Sequence, residues 1–78
     1  MAIREVNIAS VVELGAALRA VRKESGLTQR DAAALCNVSL PFLNSIEQGK
    51  PTAQIGKVLA VCSRFGIAIQ LKLPSEER

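Results

Sequence analysis

Few side chains in this sequence are equipped for covalent or metal chemistry. Cys36 and Cys62 are its two thiols, too far apart to form a CxxC pair, and there is no histidine. Zinc sites that need imidazole are excluded, and two thiolates alone are too few ligands for a structural zinc. Each cysteine sits among apolar neighbours, so buried reduced thiols are expected rather than a disulfide or a sensor. The acids are scattered over cap and surface positions, and no glycine-rich phosphate loop occurs. The chain therefore does not read as an enzyme, and no cofactor or metal is expected. What remains is a cationic surplus of 10 Lys/Arg over 7 Asp/Glu, a net charge of +3. Between Arg19 and Lys72, eight basic residues face three acidic ones. That balance permits contact with phosphates without requiring it.

Seventy-eight residues make one domain, read as spanning 1–78. A domain this small buries only about 60% of the surface its unfolded chain exposes, so it folds economically or borrows burial from a partner. Hydrophobic residues make up 49%, yet the aromatics are two phenylalanines with no Trp or Tyr. A core of Leu, Ile, Val and Ala suits packed helices. No apolar run approaches the ~20 residues needed to span a bilayer. The N-terminus lacks a signal-peptide pattern, so a cytoplasmic location without membrane contact is expected.

Helix signals recur along the chain. Residues 1–9 are a short lead with some β-branched character. Ser10 and Glu13 have the spacing of a capping box, in which the hydroxyl accepts from the Glu13 amide and the carboxylate reaches back to the Ser10 amide. Val11, Leu14, Ala17, Leu18 and Val21 then mark one helical face, which Gly26 ends. Thr28 caps a second, short helix rich in small residues, and Asn37 fits the turn after it. Ser39 caps a third, with Pro41 in its first turn and Gly49 at its end. Pro51 and Thr52 are read as opening a fourth, with Ile55, Val58, Leu59, Cys62 and Phe65 as its apolar stripe and Gly66 as its stop. Gly56 inside this helix is read as permitting close packing. Ile67, Ile69, Leu71 and Leu73 alternate with Ala68, Gln70 and Lys72, a strand signature. Residues 74–78 form a polar tail.

The second and third helices are joined by a turn of about three residues, the geometry of a DNA-binding helix-turn-helix over 29–48. Ala33 is small where the two helices approach, Asn37 follows at the turn, and Val38, Leu43 and Ile46 hold the second helix of the pair. This combination is more specific than capped helices alone.

Residues 18–66, LRAVRKESGLTQRDAAALCNVSLPFLNSIEQGKPTAQIGKVLAVCSRFG, resemble the lambda-repressor-like, Xre-type helix-turn-helix family. Within it, FLNSIEQGKPTAQIGKVLAV is most similar to the HipB-like antitoxins. The resemblance implies a mainly α domain of four to five helices that binds double-stranded operator DNA. It also implies repression of its own operon and binding of a HipA-like kinase toxin. It places Gln29 where the family contacts a phosphate, and makes Arg30 and Lys50 further phosphate partners. It puts Ser39, Leu40, Pro41, Asn44, Ser45 and Gln48 on the outward face of the recognition helix, with Asn44, Ser45 and Gln48 able to reach base edges. Leu40 and Pro41 stand where many phage repressors carry polar readers. Thymine-methyl contact and DNA shape are expected to matter correspondingly more. Arg22 and Glu47 match a structural ion pair of the family that positions the recognition helix.

The strand at 67–73 needs a partner, because a lone strand leaves its amides unpaired. Pairing with the same strand of a second copy would supply one and add burial. HipB-like proteins dimerise this way, so Ile67, Ile69, Leu71 and Leu73 are expected at a homodimer interface. Pairing with residues 3–8 of the same chain is the alternative, and the two arrangements could coexist. Two other functional readings stand beside the antitoxin. One is a phage-like or restriction-controller repressor without a toxin. The other is a protein-interaction module that has lost DNA binding.

Overall fold

The computed structural model describes residues 3–75, so residues 76–78 of the expected polar tail and the first two of the lead lie outside the described residues. Four helices follow in chain order: α1 Val11–Glu24, α2 Gln29–Cys36, α3 Leu40–Glu47 and α4 Ile55–Arg64. Ser10, Thr28 and Ser39 cap the first three, each side chain accepting from the backbone N–H three residues on. This satisfies one of the free amides at each helix start. The Glu13 carboxylate accepts from the Ala9 amide, one residue before the Ser10 amide expected from the capping box.

All four helices stop in the same way. Each is followed by a left-handed residue, Gly26, Asn37, Gly49 or Gly66, at φ values between 57° and 81°. The next amide then reaches back five residues: Leu27 to Arg22, Val38 to Ala33, Lys50 to Ser45 and Ile67 to Cys62. This is the Schellman arrangement, in which the residue after the left-handed one folds an apolar side chain back onto its own helix. Leu27, Val38 and Ile67 occupy that position, each half-buried against the core. Lys50 is the polar exception and is exposed.

The closure of α3 also explains why α4 begins later than its sequence signals imply. Pro51 and Thr52 lie in a turn, and α4 starts at Ile55 after Gln54, which makes no side-chain cap bond. Residues 48–54 connect α3 to α4, and Ala53 packs at the core's edge.

The core is Leu18, Ala32, Ala33, Cys36, Leu43, Ile46, Val58, Val61 and Cys62, drawn from every helix. Leu18, Leu43, Val61 and Cys62 are its largest fully buried side chains. Full burial of such a leucine or valine is worth about 1.5–3 kcal/mol. Both cysteines are free and buried, and burial pushes their thiols up from the ordinary range. On α4 the buried row is Val58, Val61 and Cys62, so Val61 replaces the expected Ile55 and Leu59, which stay 68% and 46% exposed. Gly56 does not serve close packing either, because a Cβ there would meet nothing within 4 Å. Close approaches are at Gly49, where a Cβ would stand 2.6 Å from Val12 Cα, and at Gly15, where a Cβ would stand 2.1 Å from the carbonyl oxygen of Ile46 and 2.9 Å from that of Glu47. This lets the α1 backbone lie directly on the end of α3.

Among the described residues no strand is formed. The expected strand face at 67–73 is divided. Ile67 is spent on the core, while Ile69, Leu71 and Leu73 are 47%, 79% and 78% exposed. Residues 3–8 do not pair with this segment as a strand either, although Arg4 bridges to Glu24 on α1 at 2.8 Å. The described residues of a single copy offer the 67–73 backbone no ladder.

Candidate nucleic-acid interface

α2 and α3 are joined by a tight turn. Asn37 takes the left-handed conformation there, with φ 57° and ψ 43°. Ala32 and Ala33 of α2 are buried with Leu43 and Ile46 of α3. Alanine keeps the helices close, and the Asn37 turn sets their angle. α3 is thereby held by one face, and its other face is presented outward.

The orientation of α3 is fixed by a buried ion pair at its C-terminal end. Arg22 Nε donates to Glu47 Oε2 at 2.7 Å, and Nη2 donates to Oε1 at 3.0 Å. Nη1 donates to the Leu27 carbonyl at 2.8 Å. One guanidinium therefore ties α1, the α1–α2 turn and α3 together. The two side chains are 8% and 2% exposed. Burial pushes the Glu47 carboxyl up, but hydrogen bonds from Arg22 and Gln29 and the charges of Arg22 and Arg19 outweigh it. Glu47 consequently titrates below its usual range. The hydrogen bond to Glu47 raises the Arg22 guanidinium further, against a smaller opposing effect of burial. A bidentate, charge-assisted pair of this kind specifies geometry as well as charge.

Gln29 extends the network. Its Nε2 donates to Glu47 Oε1 at 3.0 Å and to Asn44 Oδ1 at 3.2 Å. The side-chain protons that a phosphate contact would use are therefore directed at α3. The Gln29 backbone N–H, at the first turn of α2, remains the group pointing out of the helix end.

All of the expected contact residues except Arg30 and Leu40 line two open clefts flanking α3. One is lined by Arg19, Thr28, Gln29, Asn44 and Gln48, with the ion pair at its floor. The other lies toward the α3–α4 connection and gathers Ser39, Pro41, Ser45, Lys50, Thr52 and Lys57. Ser39 accepts the Phe42 amide with its hydroxyl oxygen, so it caps α3 as well as lining a cleft. Leu40 and Pro41 occupy the first turn of α3 and are exposed. Arg30 is exposed on α2, outside both groups of lining residues.

Two cations in these clefts were not singled out from sequence. Arg19 lies three residues before Arg22, one turn away on the same face of α1, and that spacing was the available signal. Lys57 stands over the Phe42 ring, 5.7 Å from its centroid. Its first-turn position on α4 carried no distinguishing pattern. No group of three or more His, Cys, Asp or Glu is gathered anywhere among the described residues. No helix among them is long and apolar enough to cross a membrane.

Buried anchors on one face of a short helix, polar groups on the other and a tight turn to a supporting helix define a helix-turn-helix. Comparison with known proteins agrees. The profile of the helix-turn-helix domain matches residues 13–71. The HTH-type transcriptional regulator y4mF of Sinorhizobium fredii is 45% identical over 72 residues, covering 92% of this chain and 95% of that protein. This chain belongs to the helix-turn-helix family of DNA-binding transcriptional regulators. A chain of the solved HipA-HipB-O2-O3 complex shares the fold at a TM-score of 0.79 and 17% identity, over 91% of this chain and 100% of that one. The restriction-modification controller protein C.AhdI from Aeromonas hydrophila shares it at 0.66 and 24%, over 74% and 88%.

Proposed function

We propose that this chain is a homodimeric transcriptional repressor of its own operon and the antitoxin partner of a HipA-like kinase toxin. The observation that carries the DNA side is the Arg22–Glu47 pair, because it locks α3 with Asn44, Ser45 and Gln48 turned to the clefts beside it. In this reading Asn44, Ser45 and Gln48 meet base edges, Leu40 and Pro41 make apolar contact, and Ser39 lines their approach. Lys50, Arg30 and the Gln29 backbone amide hold phosphates.

The toxin partnership is supported by the likeness to a chain of the solved HipA-HipB-O2-O3 complex, whose full length superposes on this one. The dimer is supported by the exposed Ile69, Leu71 and Leu73, a row of apolar side chains that water solvates poorly. In a dimer, two copies of α3 would reach half-sites about one DNA turn apart. The likeness to C.AhdI favours a second reading, a restriction controller without a toxin.

The test has two arms. Titration of the purified chain against its own promoter duplex should give saturable binding that weakens steeply with salt, because phosphate contacts release counterions. Co-expression with the kinase-like product of the adjacent reading frame should yield a stable complex. Promoter binding without a complex would leave the controller reading. Failure to bind promoter DNA would overturn the repressor.

A further inference from the structure

The network around Glu47 has a direction, and that direction fixes what α3 can recognise. The Arg22 guanidinium can only donate, and the ionised Glu47 carboxylate can only accept. The Gln29 atom 3.0 Å from Glu47 Oε1 must therefore be its amide nitrogen. The same nitrogen lies 3.2 Å from Asn44, so Asn44 must turn its oxygen toward Gln29. Both N–H groups of the Gln29 amide are then used, one on each acceptor. Two atoms are left over, Gln29 Oε1 as an acceptor and Asn44 Nδ2 as a donor. Neither has a partner among the described residues, and neither is buried without one, so both meet solvent. They border the same cleft.

We propose that Gln29 and Asn44 form a composite reader, polarised by Glu47, that selects adenine over guanine at one position of each half-site. This rests on the reading of α3 as the base-contacting helix. Adenine offers an N7 acceptor and an N6 amino donor side by side on its major-groove edge, matching one donor and one acceptor from the protein. Guanine offers two acceptors there and no donor, so Gln29 Oε1 would face the guanine O6 lone pairs. A free asparagine could rotate its amide to suit several partners. Here rotation would set Asn44 Nδ2 against the Gln29 amide protons, so the choice is made before DNA arrives. Specificity is thereby assigned to a residue pair on two helices rather than to α3 alone.

The experiment begins with duplexes recovered by the wild-type chain from a random-sequence library. In the recovered site each adenine is replaced in turn by 7-deazaadenine, which lacks the N7 acceptor, and by unsubstituted purine, which lacks the N6 amino group. At one adenine per half-site both analogues should weaken binding about tenfold, as for loss of one bond of a bidentate pair. Asn44→Ala should abolish the 7-deazaadenine penalty at that position and nowhere else. Gln29→Met, which keeps length but makes no hydrogen bond, should bring the adenine and guanine duplexes to near-equal affinity there. Thermal melts of both variants check that the fold persists. Specific binding with the same base preference in both folded variants, or a guanine at the Asn44-dependent position, overturns the composite reader and leaves the DNA-binding reading intact. A wild-type chain that enriches no sequence overturns both.

Discussion

The Cβ that Gly15 lacks would stand 2.1 Å from the carbonyl oxygen of Ile46, so α1 and α3 touch backbone to backbone at that point. The obstacle is main chain on both sides, and no side-chain rotation can relieve it. Gly15→Ala should force the helices apart and misplace Glu47, whose carbonyl is next in line at 2.9 Å. Overpacking of this kind costs about 1–3 kcal/mol, only partly offset by the better helix propensity of alanine. Thermal unfolding and promoter affinity should both fall. Gly56→Ala, where a Cβ meets nothing, should instead be neutral or slightly stabilising.

The Arg22–Glu47 pair should behave as a buried ion pair rather than a surface one. Arg22→Leu alone leaves a carboxylate buried with Gln29 as its remaining hydrogen-bond donor, a loss of about 3–5 kcal/mol. The double variant Arg22→Leu/Glu47→Leu should recover most of that stability, because no uncompensated charge remains. It should nevertheless bind DNA less selectively, since Gln29 then loses the carboxylate that holds one of its amide protons and keeps only Asn44. Urea denaturation of the two single variants and the double variant closes the cycle. A double variant as unstable as the worse single one would mean that the pair itself stabilises the fold.

Stability should depend on pH through Glu47 in a definite sense. Its carboxyl titrates lower in the folded chain than in the unfolded one. Its contribution is therefore complete above the unfolded value of about 4.3 and is lost as pH falls through the folded value. Glu47→Gln has no such titration. The stability gap between wild type and this variant should be constant from pH 7 to about pH 5 and shrink at lower pH. A gap that stayed constant into strong acid would show that the charge is not what Arg22 recognises.

On the outward face, replacing Asn44 and Ser45 together by alanine should relax or abolish specific promoter binding while the fold survives. Both are only half-buried and neither belongs to the core. Anisotropy titrations against promoter and scrambled duplexes measure the ratio. Unchanged selectivity would remove these residues from the recognition face.

The C-terminal segment should separate into two functions. Deleting residues 69–78 removes the exposed Ile69, Leu71 and Leu73 and should give a monomer of nearly unchanged core stability with weaker promoter affinity. Deleting from residue 67 also removes the half-buried Ile67, a further loss of roughly 1 kcal/mol. Sedimentation distinguishes monomer from dimer, and a dimer persisting after the shorter deletion would place the interface elsewhere. Leu71→Lys should dissociate the dimer without truncation.

The sequence by itself determined where the first three helices begin and where all four end, because those decisions are local; the start of α4, which has no side-chain cap, was not among them. A hydroxyl at Ser10, Thr28 or Ser39 reaches an amide three residues on, and a left-handed residue at Gly26, Asn37, Gly49 or Gly66 ends a helix in any surroundings. The α2–α3 motif was legible for the same reason, since its small, turn and apolar residues lie within a single stretch. Tertiary structure decided what depends on neighbours distant in sequence. It chose Gly15 and Gly49 over Gly56 as points of close approach, Val61 over Leu59 as a buried side chain of α4, and Ile67 rather than Ile69 to pack against the core. It also turned Gln29 inward, because Glu47 and Asn44, 18 and 15 residues away, present the acceptors that its amide protons meet.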